Sequence, residues 1–108
     1  MIHTILRIAE ENSFGFTFNL KTATLVKFGV VVAYKETQNC FGVSGLQKAL
    51  QHAEKHDGVI GGWLNSANGQ FYYDSCKIFK SRKAAIEFGR LQEQIAIFDL
   101  TNLEEIKL

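Results

Sequence analysis

Apolar residues recur along this chain with two different periods, and the changes of period divide it into nine elements. Residues 2–11 read as a short amphipathic helix. Phe14, Phe16, Phe18 and Leu20 then alternate with Gly15, Thr17 and Asn19, the period-two signature of a strand with one apolar face. After the polar break Lys21–Thr24, residues 25–35 put Val26, Phe28, Val30, Val32 and Tyr34 on one face. Val31 and Ala33 make the other face partly apolar, which predicts an interior strand covered on part of both faces. A polar loop, 36–45, leads to a helix over about 45–57 with Ser44 as its N-cap and Leu46, Ala49, Leu50 and Ala53 as its buried stripe. Asp57-Gly58 supplies the stop.

Residues 59–65 and 71–79 read as two strands joined around Asn68-Gly69, a strong short-range hairpin signal. A two-residue loop sets Ala67 opposite Gln70, hence Trp63 opposite Asp74 and Leu64 opposite Tyr73. Gly61 and Gly62 predict a bulge or a second backbone passing close by. Ser81 caps a helix over about 82–93 with the stripe Ala84, Ala85, Phe88 and Leu91. Strands follow at 95–100 and 103–108. The order α-β-β-α-β-β-α-β-β, with strands arriving in pairs, predicts one α+β domain built on a largely antiparallel sheet.

Composition leaves this picture intact. The 108 residues are 46% hydrophobic and 21% charged, ordinary for a globular domain, and 9 Phe, 3 Tyr and 1 Trp supply core material. No apolar run approaches the roughly 20 residues of a membrane span, and the amino end carries no signal-peptide pattern, so a cytoplasmic protein is expected. Cys40 and Cys76, outside any C-x-x-C pair, read as reduced thiols.

The placement of charge adds more than its total of +1. Residues 77–90 hold Lys77, Lys80, Arg82, Lys83 and Arg90 against Glu87, a net +4. Residues 91–108 hold Glu93, Asp99, Glu104 and Glu105 against Lys107, a net −3. A basic segment followed by an acidic one can steer a charged partner, or can neutralise itself internally. Ile86 lies nearly opposite Phe88 on the helical wheel, on the side of Lys83 and Arg90. An apolar residue ringed by cations there reads as an interface anchor or as an ordinary surface Ile.

Catalytic signatures are sparse. His52 and His56 have a metal-binding spacing, but the position a zinc protease reserves for Glu is Ala53, and the pair reads as a solvated helix edge. Gly42-Val-Ser-Gly45 lacks the spacing of a nucleophile elbow, and Gly58, Gly61 and Gly62 match no nucleotide fingerprint. Neither cysteine has a protease context. No metal and no cofactor is expected. The loop Glu36, Thr37, Gln38 and Asn39, with Trp63, Asn65, Tyr72 and Asp74, could line a small pocket in which Glu36 and Asp74 form an acid–base pair. Ordinary cross-strand pairs explain the same residues. Tyr72, Tyr73 and Phe79 beside the cations could stack single-stranded bases, although no RNP-like pattern is present.

Gly61-Gly-Trp-Leu-Asn65, Asn68-Gly-Gln-Phe-Tyr-Tyr-Asp-Ser75, Ala85-Ile-Glu-Phe-Gly-Arg90 and Gln94-Ile-Ala-Ile-Phe-Asp99 together resemble a block found in small accessory proteins of phages and bacterial mobile elements. The resemblance covers the second half of the chain and carries no catalytic residues. It implies a non-enzymatic inhibitor in a bacterial cytoplasm, of the anti-CRISPR kind, that binds a host RNA-guided nuclease, its ribonucleoprotein or its guide RNA. The expected binding residues are Lys77, Lys80, Arg82, Lys83, Ile86 and Arg90. A small enzyme using the 36–39 loop and a dimerising module remain open, as do a monomer and a homodimer.

Overall fold

Seven strands form one antiparallel sheet in the computed structural model, which describes residues 1–108. In chain order the elements are α1 (Ile2–Glu11), β1 (Phe16–Asn19), β2 (Thr24–Leu25), β3 (Val30–Ala33), a 3-10 turn (Lys35–Thr37), α2 (Gly42–Glu54), β4 (Val59–Asn65), β5 (Gln70–Phe79), α3 (Arg82–Leu91), β6 (Ala96–Asp99) and β7 (Glu104–Lys107). Across the sheet the strands run β2-β1-β4-β5-β3-β6-β7. The α+β class expected from the pattern is present, and the element order departs from the expected one by one extra strand before α2. No helix is long and apolar enough to cross a membrane.

All three helices pack on one face. Side chains alternate along β5, so Tyr73, Ser75, Lys77 and Phe79 share a side. Tyr73 joins Ile5 and Ala9 of α1, Leu46, Ala49, Leu50 and Ala53 of α2, Phe18 and Ile60 in the larger core cluster. Phe79 packs against the smaller cluster of Val30, Val32, Ala85 and Ile97, which α3 covers. The stripe expected for α2 is the one that is buried.

The run 25–35 is two strands. Thr24 and Leu25 pair with β1 at the sheet edge, whereas Val30–Ala33 lies between β5 and β6. Gly29, at φ +96°, makes the break, and a Cβ there would lie 2.7 Å from the Ile78 side chain. Val30, Val32 and Tyr34 share the buried face as expected, but Phe28 is exposed.

Other boundaries shift for local reasons. Helix α2 starts at Gly42, with Phe41 at its cap position and Ser44 inside the first turn. The chain doubles back so tightly there that a Cβ on Gly45 would sit 2.5 Å from the Cys40 carbonyl carbon. The β4–β5 loop spans four residues, Ser66–Gly69, so Asn65 faces Gln70, Trp63 faces Tyr72 and Gly61 faces Asp74. Asn65 organises this turn: its side chain accepts from the Ala67 N–H at 3.0 Å and its carbonyl from the Gly69 N–H at 2.8 Å. β4 pairs without interruption through Gly61 and Gly62, so the expected bulge is absent. Side chains take the space instead, with the Phe16 and Phe71 rings over Gly62 and the Cys76 sulfur beside Gly61.

Ser81 caps α3 as expected, accepting from the Ala84 N–H at 3.2 Å. Its buried stripe runs through Ala85 and Gly89, and Leu91 is exposed. A Cβ on Gly89 would lie 2.7 Å from Leu108 and 3.0 Å from Ile97. β6 and the carboxyl end therefore crowd the helix at its glycine and leave Leu91 outside.

Candidate functional site

Three surfaces carry the candidate side chains. The first is the basic edge formed by the end of β5 and by α3. Its six expected residues divide by what they touch. Arg82 donates to Asp99 at 2.8 Å and lies 3.7 Å from Glu104. Asp99 is nearly enclosed and also accepts from the Asn102 side chain and backbone. Those Asn102 hydrogen bonds, with the one from Arg82, hold its carboxyl down at about 2. Arg82 is thus a structural clamp between α3 and the acidic end of the chain. The Lys77 ammonium lies 5.6 Å from the centroids of both Phe79 and Phe88, within cation–π range. Ile86 is not an outer anchor: it packs against the smaller core cluster. Lys80, Lys83 and Arg90 remain, exposed and without an acidic partner.

The second surface holds Trp63, Tyr72 and Asp74 of the residues expected to line a pocket, a set that the fold divides between the two sides of the sheet. Ser75 meets His52 on the helix side, so Tyr72 and Asp74 face the other way. On that side Trp63 stacks on Tyr72 at 5.1 Å between centroids and 20° between planes, and Phe41 lies 5.4 Å from Tyr72. Phe41 arrives there because residues 40–41 run beside β5: the Tyr73 N–H donates to the Cys40 carbonyl at 2.8 Å, and Phe41 bridges to Tyr72. The result is a row of three rings across three adjacent backbones. Asp74 lies beside Gly61 on the same face, and burial pushes its carboxyl up to about 6. Burial likewise raises the neighbouring Cys40 and Cys76 thiols, so neither is an activated nucleophile.

Glu36 belongs to the third surface, so the expected Glu36–Asp74 pair does not form. Its carboxylate lies 3.9 Å from His52 Nε2, on the helix side. Glu36, Thr37, Lys48, Gln51, His52, Lys55 and His56 line a shallow groove of about 340 Å³. His52 and His56 are more than a solvated edge, because their rings stack at 3.8 Å between centroids and both lie against Tyr34. His52 Nδ1 is 2.7 Å from Ser75 Oγ, and His56 Nδ1 is 2.7 Å from the His52 carbonyl, so each ring turns Nε2 outward. Tyr34 OH donates to Asp57. Burial first, then the adjacent His56, lowers the His52 pKa and favours a neutral imidazole. Ser75, His52 and Glu36 thus follow one another in the order of a serine-hydrolase triad. Ser75 is fully enclosed, however, and its own N–H donates to Thr37 Oγ1. Its hydroxyl fixes the imidazole and has no path to a substrate. No group of three His, Cys, Asp or Glu is arranged to hold a metal ion.

Ser75 and Phe41 carry no motif or periodicity that marks them, and Tyr34 and Asp57 read only as a strand-face residue and a helix stop. Phe41 joins the aromatic row only because the chain doubles back at Gly45. The i, i+4 spacing of the histidines was the one local sign of the third surface. No family model, curated protein or solved structure matches the chain.

Proposed function

We propose that this chain is a non-enzymatic binding protein that inhibits a host defence nuclease by docking the α3 edge onto it. Three exposed cations without acidic partners, Lys80, Lys83 and Arg90, are the observation that carries this reading. Each of the other cations in the segment has a neighbour that accounts for it: Arg82 has Asp99, and Lys77 has two rings. Unpaired cations on one edge fit an acidic protein surface or the phosphates of a guide RNA. The resemblance of the second half to accessory proteins of phages and mobile elements supports an RNA-guided nuclease as the target class.

Lys80→Glu, Lys83→Glu and Arg90→Glu combined should abolish co-purification with such a nuclease from a bacterial host. The wild-type complex should weaken steeply between low and physiological salt. Equal capture of the triple variant and the wild type at every salt concentration would rule the α3 edge out.

A second reading is favoured by the outward Nε2 of a neutral His52 beside Glu36, which can take and return a proton in the groove. It replaces the loop-and-Asp74 enzyme with an acid–base site on the helix side. His52→Gln in a cellular protection assay separates the two: the binding reading predicts full protection, the catalytic one a loss of at least a hundredfold.

A further inference from the structure

Three of the five exposed aromatic residues, Phe14, Phe41 and Trp63, lie where the chain has no charge, whereas Phe28 and Phe98 adjoin Lys27 and Asp99. Its three longest stretches free of Asp, Glu, Lys, Arg and His are 58–73, 37–47 and 12–20. They belong to three different parts of the fold and converge at one end of it. Phe41 of the second stretch bridges to Tyr72 of the first. Gly15 of the third stands against the Gly62 carbonyl and the Trp63 Cβ. Phe41, Val43, Trp63 and Leu64 are each 42–52% exposed, and Phe14 fully so. The basic edge begins at Lys80, eight residues along from Tyr72, which at about 3.3 Å per residue is roughly 26 Å away.

The missing charge identifies what covers this end. A nucleic acid needs several cations within reach of its phosphates; the three stretches supply none, and the charges beside Cys40 are one cation, Lys48, and one carboxylate, Asp74. A partner unlike this chain would normally be selected through complementary charges around an apolar centre. Across a two-fold axis each charge meets its own copy, so a surface that docks on itself has reason to lack charge. The backbone has the same self-complementarity. β1 pairs with β4 only as far as Gly62, so the outer edge of Trp63–Asn65 has no strand beside it. An identical antiparallel edge is its natural complement.

We propose that the uncharged end is a self-docking surface occupied by a second copy of this chain, related by a two-fold axis beside the Trp63–Asn65 edge. Each dimer would carry its two basic edges at the ends remote from that axis. This surface and the α3 edge are independent, and either can fail without the other.

Sedimentation velocity on the free protein, from low micromolar to several hundred micromolar, tests the inference directly. The wild type should pass from monomer to dimer. Because Trp63 is the only tryptophan, its emission should move to the blue over the same range. Leu64→Lys and, separately, Val43→Lys place like charges close together in the dimer. Each should weaken association at least tenfold while leaving the far-ultraviolet circular dichroism unchanged. A wild type that stays monomeric at the highest concentration overturns the proposal. So does dimerisation that both variants leave intact, or quenching of Trp63 by a single-stranded oligonucleotide added to a monomer.

Discussion

The two ends of β5 are built on opposite principles. At the Phe79 end, charge holds the structure: Arg82 reaches from the first turn of α3 to Asp99 and Glu104, and Lys77 sits over two rings. At the Tyr72 end, close approach of backbone and rings holds it: Gly45 against Cys40, Gly62 under Phe16 and Phe71, Tyr72 between Phe41 and Trp63. One end can therefore spare exposed cations, and the other holds together without an ion pair. The lesson is that a residue's neighbours, rather than its type, decide whether it is available for binding. Arg82 and Lys83 are adjacent and chemically alike, yet one closes the fold and the other faces solvent alone.

The sharpest way to break the uncharged end is to add one methyl group. Gly45→Ala places a Cβ about 2.5 Å from backbone carbon, and backbone cannot rotate away as a side chain can. The expected loss is about 3 kcal/mol or more in urea unfolding, at the upper end of overpacking costs. Fluorescence of Trp63 should change as Phe41 leaves Tyr72. Gly69→Ala is the control, because a Cβ there meets nothing within 4 Å and the change loses only the left-handed preference at φ +73°. Similar losses in the two variants would mean that the close approach at Cys40 holds nothing together.

Asp74 gives the next effect, with the opposite sign. Burial raises its carboxyl from an ordinary 3.8 to about 6, and it accepts no hydrogen bond from the protein. The folded state therefore binds the proton more tightly than the unfolded chain. Stability from this group is fully present below about pH 4 and is lost as pH rises through 6. Asp74→Asn removes that loss. It should stabilise the protein above pH 6 by on the order of 3 kcal/mol and change little at pH 4. Denaturation curves at the two pH values check both halves, and destabilisation at pH 7.5 would mean that the carboxylate has an unrecognised partner.

At the charged end the pH dependence reverses. Asp99 titrates at about 2, below its ordinary value of 3.8, so its contribution is present above about pH 4 and is lost as pH falls toward 2. Asp99→Asn should flatten the acid limb of a thermal-melting profile, and Arg82→Gln should flatten it less, because Asn102 still donates twice. An unchanged acid limb in Asp99→Asn would show that the clamp does not hold this end.

The same contrast explains what the amino-acid sequence disclosed. Apolar stripes with a full set of large residues were legible, as in α2, where Leu46, Ala49, Leu50 and Ala53 are the residues buried. Contacts made at glycine were not, because a wheel or an alternation pattern gives glycine no weight. Gly89 rotated the α3 stripe away from Leu91, and Gly62, where a bulge or a second backbone passing close by was expected, pairs with β1 and gives its space to rings. The hairpin register was missed because Asn65, rather than Asn68-Gly69 alone, sets the turn length. The basic edge was legible as a charge run, but the pairing of Arg82 depends on β6 and β7 folding back beside α3. The pocket set divided because strand parity, which depends on that register, decides which side of the sheet each residue faces.

Charge reversal at the basic edge should produce the smallest change in stability and the clearest division between neighbours. Lys80→Glu and Lys83→Glu alter solvated side chains with no partner, so each should fall within about 0.5 kcal/mol of the wild type. Arg82→Glu sets a carboxylate against Asp99 and Glu104 and should lower the melting temperature well beyond either. If the edge is reserved for a partner, the ranking inverts in binding: Lys80→Glu and Lys83→Glu weaken capture of the nuclease, while the conservative Arg82→Lys, which keeps a cation beside Asp99, leaves it nearly unchanged. Parallel losses of stability and capture across all four variants would instead mean that the whole edge is one structural unit, with no surface set aside for docking.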